Sequence, residues 1–260
     1  ADLNGKVALI TGAGSGIGRH LTQRFSAEGV RVAAADVNRE AIDALASELT
    51  EKGHTALAVK IDVTDEADVQ QGVAAVVNEL GRLDILINNA GIQRIAPIVD
   101  LAFDEWKKLL AVHLDGAFLM TRESMRNWTR TRTPGCVITM GSIHSHMASL
   151  WKAPYATAKH GLAGFTRTIA KEGGRDNIRA YLICPGYVDT PLVRAQIPQQ
   201  AERLGMTEDE VMEKVMLAGT VDGQLTTMDE VADLALFLAS RGTNAMSGQA
   251  FGISHGSYMH

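Results

Sequence analysis

Lys6-Val7-Ala8-Leu9-Ile10 runs into Thr11-Gly12-Ala13-Gly14-Ser15-Gly16-Ile17-Gly18, and a helical pattern follows at once through Phe25. The order of strand, glycine turn and helix decides the fold. Glycines at these places let the backbone come close to a pyrophosphate and aim the first N–H groups of the helix toward it. A tight turn without a ligand has the same local sequence, so the neighbouring segments must decide. The next strand, Arg31 to Ala35, ends at Asp36, where a dinucleotide fold places the carboxylate that holds the adenosine ribose. Asp36 can accept from both ribose hydroxyls, whereas a 2′-phosphate at ~4 Å would be repelled by on the order of 4 kcal/mol at an effective dielectric of ~20. NAD is therefore expected rather than NADP, with Arg19 and Arg39 the two cations near enough in sequence to argue otherwise.

Moving outward, Arg39 to Lys52 reads as a helix ended by Gly53, and Thr55 to Ile61 as a strand leading to Asp62-Val63. Glu66 to Leu80 is helical and capped by Gly81, and Leu83 to Ile87 is a buried strand that delivers Asn88-Asn89-Ala90-Gly91. Strands separated by helices of this length imply parallel βαβ units with right-handed crossovers and ligands at the carboxyl ends of the strands. The expected fold class is α/β: a Rossmann-type, doubly wound parallel sheet with helices on both faces. Phe103 to Arg130 has apolar residues on more than one face, among them Trp106, Leu109, Phe118 and Trp128, a surplus that suggests burial against another subunit. A strand at Cys136 to Met140 carries Ser142 to the top of the sheet, and another at Arg179 to Cys184 is broken by Pro185-Gly186.

From Tyr187 to Thr226 the alternation lapses into polar helical segments, a length of excursion typical of a lid over a site. Thr207 with Glu210, and Thr227 with Glu230, have capping-box spacing, the second ahead of an amphipathic helix at Val231 to Leu238. A last strand, Gln249 to Ile253, leads to a tail ending at His260. No linker or repeat interrupts the chain, so residues 1–260 read as a single NAD-binding domain with a substrate lid at about 187–226.

Hydrophobic content of 46% with 21% charged residues excludes a disordered chain. No apolar run reaches the ~18 residues of a spanning helix, and no signal-like segment precedes the first strand, so no membrane association and a cytoplasmic location are expected. A net charge of −5 without a long basic cluster argues against a nucleic-acid partner. The Arg122 to Arg132 stretch reads as a helix end. Cys136 and Cys184 lie in apolar runs and are expected as reduced, buried thiols.

The chemistry concentrates at Gly141-Ser142-Ile143-His144, Lys152 and Tyr155 to Lys159. On a helix from Tyr155 to Glu172, Tyr155 and Lys159 sit one turn apart, so an ammonium reaches a phenol. Making such a Tyr half phenolate near pH ~7.5 takes about 3.4 kcal/mol, which a nearby cation in a partly dry cleft can supply. A core Tyr with a solvated Lys is the plain alternative. A metal at His144 and His146 finds no third ligand in reach, and none is expected.

Together these residues resemble the short-chain dehydrogenase/reductase family over essentially the whole chain. Thr11 to Gly18 fits its TGxxxGxG motif, Asn88 to Gly91 its NNAG, Ser142 with Tyr155 and Lys159 its catalytic set, and Pro185-Gly186 its post-strand turn. The resemblance implies an NAD(P)-dependent oxidoreductase with a sheet of about seven strands, a small helical lid and, as a rule, a homotetramer. It assigns the cofactor to Gly12, Ser15, Gly16, Ile17, Gly18, Asp36, Asp62, Val63, Asn89, Ala90, Gly91, Tyr155, Lys159, Pro185, Gly186, Val188 and Thr190. His113 stands where the family usually has the Asn that holds a relay water behind the Lys. Tyr181 replaces another usual Asn, and the tail at Ser254 to Tyr258 lacks the usual Asp-Gly-Gly.

A narrower resemblance is to the 3-hydroxybutyrate dehydrogenases of that family. It implies that Gln93, His144, Lys152 and Gln196 hold a substrate carboxylate, with Ser142, Tyr155 and Tyr187 around the rest of a small hydroxy acid or ketone. A cation and several donors converging on two oxygens is what a carboxylate needs. The expected reaction is reversible oxidation of (R)-3-hydroxybutyrate to acetoacetate. The alternatives are another hydroxy acid, a polyol or a bulky secondary alcohol, or, given His113, a catalytically weak NAD(H)-binding sensor. A Ser-His hydrolase lacks the G-x-S-x-G elbow.

Overall fold

A computed structural model describes residues 3–259; Ala1, Asp2 and the expected chain end His260 lie outside the described residues. In chain order the first half forms β1 (Val7–Thr11), α1 (Gly16–Ala27), β2 (Arg31–Asp36), α2 (Arg39–Glu51), β3 (Ala56–Lys60), α3 (Glu66–Leu80) and β4 (Ile85–Asn88). After α4 (Phe103–Leu110), α5 (Gly116–Thr131) and β5 (Gly135–Met140) come α6 (Ala153–Gly173) and β6 (Ile178–Pro185). The remainder is α7 (Pro191–Arg194), α8 (Gln196–Leu204), α9 (Glu208–Val211), α10 (Met228–Ser240) and β7 (Ala250–Ile253).

The seven strands form one sheet in the order β3-β2-β1-β4-β5-β6-β7, and every pairing is parallel. The expected doubly wound α/β fold is therefore what the chain adopts. Order reverses between β1 and β4, and a cleft opens at the carboxyl ends of the strands on either side of that switch. Neighbouring strand residues serve opposite faces. Ile10, Val32, Ile87 and Ile138 pack under α1, α2 and α10, while Leu9, Leu86 and Val137 pack under α3, α5 and α6. Burial on both faces explains why these strands read as unbroken apolar runs rather than as alternating ones.

Differences from the sequence reading have local causes. The Thr227–Glu230 capping box starts α10 three residues earlier than its apolar pattern does. Pro154 sits in the first turn of α6, where its missing N–H costs nothing, so this helix begins ahead of Tyr155. Phe103 to Arg130 is two helices joined by a π-helical turn at Ala111–Asp115. Trp128, Met120 and Leu109 from its apolar surplus are fully buried, whereas Phe103 and Phe118 are exposed. Tyr181 faces the core between β6 and α10, with its hydroxyl donating to Thr243 O, well away from the cleft. The 187–226 excursion folds as α7, α8 and α9 around a cluster of its own: Ala201, Val211 and Met216, with Tyr187, Val193 and Ile197 against it. Both cysteines are free and buried. Among the described residues no helix is long and apolar enough to cross a membrane.

Candidate active site

The cleft at the switch point has a volume of about 830 Å³, enough for a dinucleotide. Every residue expected to touch a cofactor lines it except Gly18. α1 begins with Ser15 in the N-cap position, but the Ser15 side chain makes no cap bond, and no acid lies in the first turn. α2 and α3 are capped by Asn38 and Asp65. The first N–H groups of α1 are thus left to a bound anion, in the manner of a pyrophosphate site. Gly12 adopts φ +67° and lies so close to the Ala90 backbone that a Cβ would stand 2.9 Å from Ala90 Cα.

Gly18 is corrected to a packing glycine. A Cβ there would fall 2.1 Å from the carbonyl oxygen of Gly12, so α1 can only approach the glycine turn through a bare backbone. Gly18→Ala should push α1 off the turn, weaken dinucleotide binding at least tenfold and destabilise the fold by about 1–3 kcal/mol; isothermal titration and thermal melting check both.

At the end of β2 the Asp36 carboxylate accepts from Gly14 N and Asn38 N, each at 2.9 Å, which fixes it at the cleft wall. The two arginines that bear on phosphate binding are both engaged elsewhere: Arg19 pairs with Glu48 at 2.6 Å and Arg39 with Asp43 at 2.7 Å. Val37, Thr64, Lys108 and Met140 also line the cleft and carry no motif that marks them in sequence.

Thr11 Oγ1 accepts from the backbone N–H of both Asn89 and Ala90 at 3.0 Å, so the end of β1 pins the loop after β4. His113, in the π-helical turn, lies beneath that loop: a Cβ on Gly91 would stand 2.6 Å from its Cε1. Its Nε2 is 3.0 Å from Ile92 N and 2.8 Å from Ile92 O. Burial, helped by nearby Lys159, lowers the His113 pKa to about 3, so the ring is neutral and Nε2 can serve only one of those two groups at a time. His113 therefore braces the loop after Gly91 and stands perpendicular to the Tyr155 ring, with 5.6 Å between centroids.

Ser142, Tyr155 and Lys159 come together as expected at the inner end of the cleft. Lys159 is buried, donates to Met140 O at 2.6 Å and sits 5.4 Å from the centre of the Tyr155 ring. Desolvation brings the Lys159 ammonium down to about 8. The expected phenolate is not what the chain alone provides. Burial pushes Tyr155 up to about 12, against a hydrogen bond from Ser142 that works the other way. In the free protein Tyr155 is a phenol, an acid facing the site.

A smaller cavity of about 50 Å³ continues beyond Tyr155 and is lined by all of the expected substrate residues: Gln93, Ser142, His144, Lys152, Tyr155, Tyr187 and Gln196. Ile143, Leu192 and Val193 supply the apolar wall that the motifs did not mark. Trp151, in a left-handed conformation at φ +64°, turns the chain so that Lys152 points inward. Lys152 is 3% exposed, donates to Tyr187 Oη at 3.1 Å and has no Asp or Glu partner among the described residues. Desolvation lowers its pKa to about 8. Gln196 donates to Leu192 O, leaving its buried Oε1 unpartnered. Both nitrogens of His144 are engaged by serines, Nδ1 with Ser142 at 3.3 Å and Nε2 with Ser149 at 2.8 Å. Burial, with Lys152 next in effect, lowers the His144 pKa to about 3. Among the described residues no group of acidic, His or Cys side chains could hold a metal ion.

This arrangement matches known proteins across its length. The family model described as short chain dehydrogenase matches residues 6–201. An uncharacterized oxidoreductase, YxjF, of Bacillus subtilis is 38% identical over 94% of this chain and 95% of its own. A D-beta-hydroxybutyrate dehydrogenase of Rhizobium meliloti is 36% identical over 90% of this chain and 91% of its own. Among solved structures, an actinorhodin polyketide ketoreductase with NADPH superposes with a TM-score of 0.91 at 30% identity, covering 97% of this chain and 98% of that one. With the glycine turn, the Ser-Tyr-Lys set and the switch-point cleft in one place, the chain belongs to the short chain dehydrogenase family and is an oxidoreductase acting on CH–OH and carbonyl groups.

Proposed function

We propose that the protein interconverts (R)-3-hydroxybutyrate and acetoacetate with NAD as its cofactor. One observation carries this reading: Lys152, a buried ammonium without an acidic partner among the described residues, faces a small cavity that opens onto Tyr155. A charge taken out of water and left unpaired is expensive, and a substrate carboxylate is the partner that repays it. Gln93 and Tyr187 lie beside Lys152 and can share the two carboxylate oxygens. The cavity is small, which suits a short acid, and the named D-beta-hydroxybutyrate dehydrogenase among the relatives supports both substrate and hand.

A carboxylate held at Lys152 sets the carbon two bonds away beside Tyr155. Tyr155 exchanges the proton with the reacting oxygen and Ser142 hydrogen-bonds that oxygen. Lys159 supports the phenol electrostatically from below. When bound, oxidised NAD supplies the hydride acceptor and a positive ring that favours the phenolate. The excursion at 187–226 brings Tyr187, Leu192, Val193 and Gln196 over the cavity, and as a lid it excludes water from the reacting atoms. NADH formation with the separate enantiomers tests the assignment: the (R) form should be turned over and the (S) form not, and turnover of (S) alone would overturn it.

The preference for NAD over NADP is supported by Asp36, held in the cleft wall at the end of β2, and by the pairing of Arg19 and Arg39 with other carboxylates. Repulsion of about 4 kcal/mol at an effective dielectric of ~20, reduced by solvent, predicts a preference for NAD of roughly 10²-fold. Asp36→Ala should bring the two cofactors to within about tenfold in kcat/KM, and an unchanged ratio would remove Asp36 from this role. A homotetramer is also proposed. Phe118, exposed and packed against Phe165 of α6, leaves an apolar face on α5 and α6 that a second copy would cover.

A further inference from the structure

Ser149 lies on the exposed loop between Ser142 and α6 and does not line the substrate cavity, yet its hydroxyl is 2.8 Å from His144 Nε2. The other ring nitrogen, Nδ1, is 3.3 Å from the hydroxyl of Ser142, which lines the substrate cavity together with Tyr155. Ser142 and His144 are buried, so the bond between them is not exchanged freely with water, while the exposed Ser149 is its link to the surface. We propose that Ser149 is a positioning residue that orients the Ser142 hydroxyl through the tautomer of His144.

A neutral imidazole carries one N–H, so the two serines cannot both receive a hydrogen from it. If Nε2–H donates to Ser149, Nδ1 must accept from Ser142, and the only proton of Ser142 is turned away from the substrate. With the proton on Nδ1, the ring donates to Ser142 Oγ, and the Ser142 proton is free to be donated to the reacting oxygen. That second arrangement needs a donor at Nε2, and the Ser149 hydroxyl supplies it. Acting as donor, the outer hydroxyl thus supports the Nδ1–H tautomer of a buried histidine and, through it, the rotor of the catalytic serine. The inference rests on the Ser142 role given above for the reaction.

The test uses 15N-histidine-labelled protein, with His144→Gln to assign the signal, alongside NADH-dependent reduction of acetoacetate. Wild type should show His144 protonated at Nδ1. Ser149→Ala should shift it to Nε2–H or a mixture and lower kcat about three- to tenfold, in proportion to the competent fraction, with KM changed less than about twofold. Ser149→Thr, which keeps the donor, should restore both. Wild type protonated at Nε2 would overturn the proposal, as would Ser149→Ala with an unchanged tautomer or a shifted tautomer and undiminished kcat. A wild type that binds NADH but leaves acetoacetate unreduced would retire the substrate reading alone, and the nitrogen signals would still decide the tautomer.

Discussion

Lys152→Met is expected to lower kcat/KM for (R)-3-hydroxybutyrate by about 10²–10⁴ while making the free protein more stable. The loss corresponds to about 3–5 kcal/mol, the range for removing one partner of a buried charge pair. It should fall on KM at least as much as on kcat, because the carboxylate contact is present in ground and transition states alike. The gain in stability has the same cause. Lys152 is buried without a counter-charge among the described residues, and burial holds its pKa at about 8, well below its free value of 10.5. The folded state therefore surrenders this proton at lower pH than the unfolded state does. Below pH 8 the buried ammonium opposes folding, and stability rises as pH climbs from about 8 toward 10.5. Lys159 behaves in the same way. Methionine keeps the apolar stem and removes the charge, so Lys152→Met should melt several degrees higher at neutral pH, with a smaller rise in stability above pH ~8. Thermal scans across pH check this; a lower melting temperature would mean that Lys152 already has a partner in the free protein.

The second large effect is at the proton. Tyr155→Phe removes one oxygen from a site already shaped to hold a ring, so folding and NAD(H) binding should be retained. Loss of general acid–base transfer predicts a fall in kcat of about 10²–10⁴. Ser142 cannot replace the phenol, since an aliphatic hydroxyl is a far weaker acid than a phenol. Stopped-flow assay of acetoacetate reduction, with NADH binding followed by fluorescence, separates the two effects. A variant retaining more than about a tenth of wild-type kcat would put the proton on another group.

Much of this was legible in the sequence because the fold writes its constraints locally. The glycine turn after β1, Asp36 after β2 and Asn88 to Gly91 after β4 all sit at strand ends, where backbone geometry demands particular residue types within a few positions. Lys152 is joined to Tyr155 by the resemblance to the 3-hydroxybutyrate dehydrogenases, and it stands at the N-cap of α6, three residues ahead of Tyr155. Three things were hidden. Gly18 resembles a phosphate-loop glycine in sequence, yet what requires it is a contact with the Gly12 carbonyl that only folding creates. The pKa of Tyr155 depends on how completely the surrounding elements exclude water, and that burial sets its direction in the free protein. The apolar wall of Leu192 and Val193 lies in the excursion after β6, where no periodic pattern indicates which side chains turn inward.

The central claim is that Lys152 reads a carboxylate, and the ratio of kcat/KM for (R)-3-hydroxybutyrate to that for its methyl ester, measured by NAD reduction, tests it most directly. The ester keeps the reacting carbinol and its hand but cannot neutralise Lys152. A ratio of about 10² or more in favour of the acid, at least 2.7 kcal/mol, is the predicted result. A ratio near one, or an ester that reacts faster, would contradict it and turn the cavity into a site for uncharged alcohols.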